Sequence, residues 1–294
     1  KFFELYHETS CSIQVLLKDL LLDNNTFYDL LTALGSNYNI LHFTIDNVAT
    51  KTECDILIAL SNILTTKINL KSIEFYNLKK LGKNKGKSIF KIMQECRKIE
   101  KLVLKCIELE EEDEEYIRRI LKHSPHLTYF EICDILITDF NKLNEGLLKN
   151  IIIESLILCN INLTSKTFES FIPSISTNTS LVKLDLSKNP IGESLKIFFD
   201  KIDCFKLLST VILNKCEVDD EILQYILLCI KNNLSIKSLE LMDNKITKWS
   251  EGFFLNFFTE NKTIETIFLL NNELKKEDMN NIEDKDIIKL ILDE

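Results

Sequence analysis

The chain has 294 residues, with 36 Lys or Arg against 45 Asp or Glu and a formal net charge of −9 at pH 7, a balance that argues against phosphate-backbone binding as its main task. Hydrophobic residues make up 45% and charged residues 28%, with 6 Gly and 3 Pro, which excludes a disordered, collagen-like or proline-rich linker protein. No apolar run approaches the roughly 20 residues that a membrane-spanning helix needs.

One pattern recurs along the chain. A first, weaker copy opens at Ser12, with Val15, Leu17, Leu20 and Leu22 in phase. Further copies open at Ile40, Leu70, Ile99, Leu127 and Ile153. The pattern is then plain in Leu181, Leu184, Leu186, Asn189 and Ile191, and again in Leu208, Val211, Leu213, Cys216 and Val218. It returns in Ile236, Leu239, Leu241, Asn244 and Ile246, then in Ile264, Ile267, Leu269, Asn272 and Leu274. Ile287, Leu290 and Leu292 start one more. Each copy reads L-x-x-L-x-L-x-x-N/C-x-L with aliphatic substitutes. Eight steps from Ile40 to Ile264 span 224 residues, a mean period of 28, and such periods mark stacked repeats. Counting from the opening residue, positions 4 and 6 point inward on a short strand, and positions 3, 5 and 7 point outward. Amphipathic helices are expected between strands: Phe168, Phe171 and Ile172 set helical spacing over 167–175, as do Ile222, Leu223, Ile226, Leu227 and Ile230 over 220–231.

The motif resembles a leucine-rich repeat. Its length, its helix in every repeat and its Asn or Cys at position 9 are similar to the ribonuclease inhibitor-like leucine-rich repeat family, over residues 12–294. The resemblance implies a right-handed α/β horseshoe solenoid of about 10–11 repeats, with parallel strands on the concave face and helices on the convex face. Residues 1–294 then form a single leucine-rich repeat domain. Its first 39 residues are a less regular N-terminal cap and first repeat, and residues 287–294 are a truncated final strand. An uncapped last strand leaves an edge open to self-association. The sequence opens on Lys1 rather than Met, without a charged-then-apolar leader, so a fragment or a processed product is expected. The sequence departs from the family at position 9 of the earlier copies. Val48, Leu78, Ile107, Ile135 and Ile161 cannot hydrogen-bond there, so less regular turns are expected.

Signals for chemistry are few. Gly82-Lys83-Asn84-Lys85-Gly86-Lys87-Ser88 is similar to a phosphate-binding loop but has three residues between its glycines where that loop needs four. It reads instead as a basic insertion, with Lys79 and Lys80 extending it. The acidic run 110–115 reads as a solvated helix start favoured by the helix dipole. His123-Ser124-Pro125-His126 lacks the spacing of a metal pair. Neither a nucleophile elbow nor a Ser/His/Asp motif is present, so no catalytic residue, metal or cofactor is assigned. The aromatic helix with Trp249, Phe253, Phe254, Phe257 and Phe258 reads as packing. Nine cysteines without a CxxC pair read as small buried hydrophobes in a reducing, intracellular compartment, with secretion into a host cell left open. Asn-x-Ser/Thr triplets begin at Asn24, Asn162, Asn178, Asn233 and Asn261 and point only weakly to secretion.

The expected working surface is the concave face. Toward the start it carries His42, Asp46, Glu74, Tyr76, Tyr129, Glu131 and Asp134. Toward the end it carries Ile157, Asp185, Ile212, Glu240, Met242, Phe268 and Leu270. At position 5, acidic and apolar residues alternate from Glu74 onward, an arrangement suited to a partner with alternating basic and apolar groups. The function expected is a non-catalytic scaffold that binds a protein partner, with no membrane and no nucleic acid among its partners. Ran GTPase activators look like this subfamily, so stimulation of GTP hydrolysis is one alternative. A host-directed effector or recognition module is another, since the richness in Lys, Asn and Ile suggests an AT-rich coding genome.

Overall fold

Alternating side chains on a short strand can bury only every second residue, so a repeat of this kind is stable when its neighbours share one register. The computed structural model describes residues 2–7, 13–35, 40–50, 69–78, 98–109, 111–247, 251–274 and 289–291. The lysine-rich segment 79–88, Cys11, Cys54, Cys96, Trp249 and the terminal acids Asp284, Asp286, Asp293 and Glu294 lie outside the described residues. The chain divides into two units, Lys1–Ile153 and Glu154–Glu294.

The first unit opens with a hairpin that the repeat pattern did not announce. Strand β1 (Phe2–His7) runs antiparallel to β2 (Ile13–Lys18), pairing Phe2 with Lys18 and His7 with Ile13. Strand β3 (Leu21–Leu22) and helix α1 (Asn24–Gly35) follow. Strands β4 (Ile40–Asp46), β6 (Ser72–Tyr76), β7 (Lys101–Lys105) and β8 (Tyr129–Cys133) then pair in parallel, each with the one before, starting from β2. A minor parallel pair joins β3 to β5 (Ala49–Thr50). Helices α2 (Glu111–His123) and α3 (Phe140–Lys149) pack together at Gly146. A Cβ there would lie 2.9 Å from Leu121 Cβ and 3.2 Å from the Arg118 carbonyl, so the close approach requires glycine.

The second unit stacks β9 (Ser155–Cys159), β10 (Lys183–Asp185), β11 (Thr210–Ile212), β12 (Ser238–Glu240), β13 (Thr266–Phe268) and β14 (Lys289–Ile291) in parallel and in chain order. Helices α4 (Ser165–Ser176), α5 (Ser194–Phe199), α6 (Asp220–Ile230) and α7 (Glu251–Glu260) connect them. Thr164 caps α4 and Asp219 caps α6, each accepting a backbone N–H of the first turn. Phe257 and Phe258 of α7 are buried, as packing requires.

In both units the sequence register holds. Positions 4 and 6, from Phe43 and Ile45 to Ile267 and Leu269, are at most 2% exposed. Burying each such side chain contributes roughly 1.5–3 kcal/mol, so a one-residue slip is prohibitive.

The turn after each strand takes one of two forms. Its eighth residue lies in the left-handed region in ten copies, from Asp19 to Asn271, with φ of 50–59°. Most of these residues are Asn or Asp, which tolerate that region best among non-glycine types. Eight of these N–H groups reach the position-7 carbonyl of the next copy, as Asn47 N does to Tyr76 O at 3.1 Å and Lys188 N to Asn214 O at 2.7 Å. Strand length goes with the ninth residue. Where it is aliphatic the strand runs to position 7, with Leu78, Ile135 and Ile161 buried and Ile107 half-buried. Where it is Asn or Cys, the backbone ladder stops at position 5 and the side chain takes over. Asn189, fully buried, donates to Leu158 O at 2.7 Å and Leu186 O at 2.8 Å, and accepts from Ile161 N and Leu163 N, both at 3.1 Å. Asn244 and Asn272 repeat this arrangement, and the Cys216 thiol donates to Leu186 O at 3.2 Å. The less regular turns expected in the earlier copies are therefore regular turns of a second kind.

A further asparagine row closes four of the helix-to-strand turns, three residues before position 1. Asn150, Asn178, Asn233 and Asn261 are 3–6% exposed. Asn261 accepts from Thr263 N and Ile264 N at 2.9 Å and donates to Ile230 O at 2.8 Å. Asn178, Asn233 and Asn261 begin three of the Asn-x-Ser/Thr triplets, so those triplets are turn chemistry, with the Ser or Thr N–H bonded to the Asn carbonyl oxygen.

The acidic run corrects another expectation. Glu111 and Glu112 are exposed, but Asp113 and Glu114 are buried. Glu114 accepts from Thr138 N at 2.7 Å and Asp139 N at 2.8 Å, which ties α2 to the start of α3. Glu115 is held by Arg118 at 2.7 Å and Arg119 at 2.8 Å.

Candidate functional site

Position 5 of β6, β7 and β8 reads Glu74, Val103, Glu131, and the parallel register sets these residues side by side. Around them, positions 3 and 7 carry Tyr76, Lys101, Lys105 and Tyr129. Lys101 Nζ lies 2.7 Å from Glu74 Oε1 and 5.0 Å from the centre of the Tyr129 ring. Lys105 Nζ lies 2.5 Å from Glu131 Oε1 and 5.7 Å from the centre of the Tyr76 ring. Each phenol donates to the carboxylate two residues along its own strand, Tyr76 to Glu74 and Tyr129 to Glu131, both at 2.7 Å. The result is a near-twofold lattice about Val103, which is fully buried beneath it. Ordered ammonium–ring contacts of this kind are worth about 0.5–1 kcal/mol each when exposed.

The electrostatics follow from the lattice. Burial pushes the Glu74 carboxyl up, but bonds from Lys101, Tyr76 and Ser72 outweigh it, so its pKa sits below the ordinary value. Burial and the adjoining carboxylate raise both phenols well above the usual tyrosine value, so both stay protonated and donate. On β4, Asp46 is bound by Lys18 at 2.9 Å and by the Asn77 amide at 2.8 Å. A concavity of about 560 Å³ opens over β2, β4, β6 and β7, and Leu16, Thr44 and His42 are among the residues that line it.

Of the residues expected on this face, His42, Asp46, Glu74, Tyr76, Tyr129 and Glu131 are on outward strand positions. Asp134 is not: it occupies the left-handed corner after β8, with φ 54°. Lys101 and Lys105 were missed. They occupy outward positions of the same register, so extending the position-5 comparison to positions 3 and 7 would have found them.

The strand face of the second unit is built differently. Ile157 and Ile212 are only 6% and 7% exposed, so neighbouring side chains cover them. Asp185 accepts from Ser187 N at 2.9 Å, and Glu240 from the Asn214 amide at 3.2 Å. Met242, just beyond β12, Phe268, on β13, and Leu270, just beyond β13, are partly exposed. Position 3 carries small hydroxyls at Ser155, Thr210, Ser238 and Thr266 but a lysine, Lys183, on β10, with Thr266 donating to Ser238 at 3.0 Å.

Among the described residues no group of three or more His, Cys, Asp or Glu side chains is placed to hold a metal ion, and His123 and His126 are exposed. No helix among them is long and apolar enough to cross a membrane.

Comparison with protein-family models and with curated proteins gives no match. Solved structures do match in part. An internalin from Listeria monocytogenes is 14% identical with a TM-score of 0.48, covering 90% of this chain and 70% of its own. A leucine-rich repeat protein from Leptospira interrogans is 13% identical with a TM-score of 0.49, covering 87% and 73%. A Bacteroides fragilis protein is 11% identical with a TM-score of 0.49, covering 94% and 73%. The architecture is that of leucine-rich repeats. It rests on this chain's own register, its left-handed corners and its asparagine ladder.

Proposed function

We propose that the protein is a non-catalytic scaffold that binds a partner protein through its outward strand positions. The observation that carries this reading is the lattice on β6, β7 and β8. Two tyrosines and two lysines are fixed there by hydrogen bonds and ring contacts that contribute nothing to the core. Rigid aromatic side chains with satisfied polar partners are what protein interfaces use as anchors, because little entropy is lost on binding. The partly exposed Met242, Phe268 and Leu270 give the second unit an apolar face of its own. The ribonuclease inhibitor-like subtype and a reducing compartment belong to this reading. The mean period of 28 supports the first. The second is supported by Cys216, whose buried thiol is used as a hydrogen-bond donor, a role that a disulfide would remove.

The test is photo-crosslinking from single positions of the whole chain. Benzoylphenylalanine at Tyr129 or Phe268 should give a discrete crosslinked product in a lysate of the source cells. The same group at Glu169 on α4 should not. Products from Glu169 alone would refute the proposal.

A further inference from the structure

We infer that Glu240, on β12 of the second unit, receives a cationic side chain of the partner protein, a lysine or an arginine; this deepens the binding reading above and rests on it. The register sets this acid apart. Asp46, Glu74 and Glu131, on outward positions of β4, β6 and β8, each have a lysine from an adjacent strand, Lys18 at 2.9 Å, Lys101 at 2.7 Å and Lys105 at 2.5 Å. Lys101 stands at position 3 of the strand after Glu74, and Lys105 at position 7 of the strand before Glu131. Around Glu240 the same two places hold Thr266 and Asn214, which carry no charge. Lys183 and Lys289, at position 3 of β10 and β14, are each two strands from β12, hence at least about 10 Å away along the sheet. Lys215 is paired with Asp243 at 3.8 Å and Lys237 with Glu265 at 3.0 Å. The other acid of this face, Asp185, has Lys183 two residues along its own strand. No ion pair reaches Glu240 among the described residues.

The Glu240 carboxylate is nonetheless held in place. Its Oε2 accepts from the Asn214 amide at 3.2 Å, and Asn214 is itself anchored by accepting from Met242 N at 2.7 Å. Its Oε1 takes no hydrogen bond among the described residues, and the residue is partly exposed. Phe268 stands beside it in register on β13, and Met242 and Leu270 follow at position 7 of the same two copies, all partly exposed. A partner that covers this apolar group also covers Oε1. A purely apolar partner would strand a charge there, and an acidic one would add repulsion. A lysine or arginine lays its aliphatic stem along Phe268 and Met242 while its head reaches Oε1, and no existing bond is broken. Ser238 and Thr266, bonded to each other at 3.0 Å, add hydroxyls and no charge at position 3.

The experiment is selection from a random peptide library displayed on phage against the immobilised full chain. Enriched peptides are then synthesised and titrated by fluorescence anisotropy. The expected peptides carry Lys or Arg beside an apolar residue and bind more weakly as salt is raised. They should lose about tenfold in affinity to Glu240→Gln, which keeps an acceptor for the Asn214 amide and removes the charge. Replacing the peptide's basic residue by Met should cost as much against the parent chain and nothing further against Glu240→Gln, the coupling that direct contact requires. Glu169→Gln, on helix α4, should leave affinity unchanged. Peptides without a basic residue, or basic peptides indifferent to Glu240→Gln, overturn the cationic partner; where Phe268→Ala or Tyr129→Ala still weakens them, the scaffold reading stands. Failure to enrich any peptide also overturns the cationic partner. Peptides indifferent to every strand-face substitution count against both.

Discussion

Replacing Asn189 tests the account of the second-unit turns. The side chain is fully buried and satisfies the N–H groups of Ile161 and Leu163 and the carbonyls of Leu158 and Leu186. Alanine at this site leaves those four groups in a space too small and too apolar to hydrate them. At about 1–3 kcal/mol for each buried group left unpaired, with partial relaxation, the loss should be about 3–5 kcal/mol. Leucine is the sharper probe, because Ile161 occupies the same repeat position natively. It can be accommodated at Ile161 because β9 extends to position 7, whereas β10 ends at position 5. Asn189→Leu should therefore cost about 2–4 kcal/mol although it preserves volume. Urea denaturation followed by circular dichroism measures both variants, with the slope checked for constancy. A leucine variant within about 0.5 kcal/mol of the parent would refute the claim that the amide carries the turn.

The pH dependence is anchored at Glu115. Its bonds to Arg118 and then to Arg119 outweigh burial and hold its pKa down at about 2. A carboxyl depressed on folding contributes stability above its unfolded value near 4.5 and loses it as pH falls toward about 2, so Glu115→Gln should flatten melting temperature against pH across that window. Asn178, Asn233 and Asn261 should carry no glycan when the chain is passed through a secretory pathway, and intact mass with peptide mapping reads this directly; occupancy there would contradict the buried turns. Asn233→Gln should also cost about 1–3 kcal/mol in chemical denaturation, since its carbonyl oxygen accepts from Ser235 N and Ile236 N. Burial pushes the Cys216 thiol up to about 12, whereas Cys204 is exposed. Iodoacetamide should therefore label Cys204 in the native protein and Cys216 only after unfolding, as peptide mass spectrometry would show.

The fold was legible because positions 4 and 6 must be apolar for any stacked strand to exist, and few residue types serve. The left-handed corners were not, because that backbone accepts Asn and Asp in most copies but also Cys106, Lys188 and Lys215, which blurs the signal. The triplets at Asn178, Asn233 and Asn261 were visible but carried the wrong meaning, since turn and glycan acceptor share the same short pattern. On the candidate face, the tyrosines and acids were found one at a time, while their pairing with Lys101 and Lys105 needed the register. Partners 27 residues apart, such as Glu74 and Lys101, meet only because the parallel register of β6 and β7 sets them side by side. Buried Glu114 looked like its exposed neighbours because composition records charge and not direction.

The two turn forms at position 9 also bear on how such a chain diversifies. Asparagine and isoleucine codons differ by a single base at the second place, so one transversion exchanges a long strand with a greasy corner for a short strand with an amide rung. Each exchange moves one outward side chain, that of position 7, between ladder and loop while positions 4 and 6 stay in the core. A duplicated unit can thus reshape what it shows to the world one rung at a time, while its interior stays as it was.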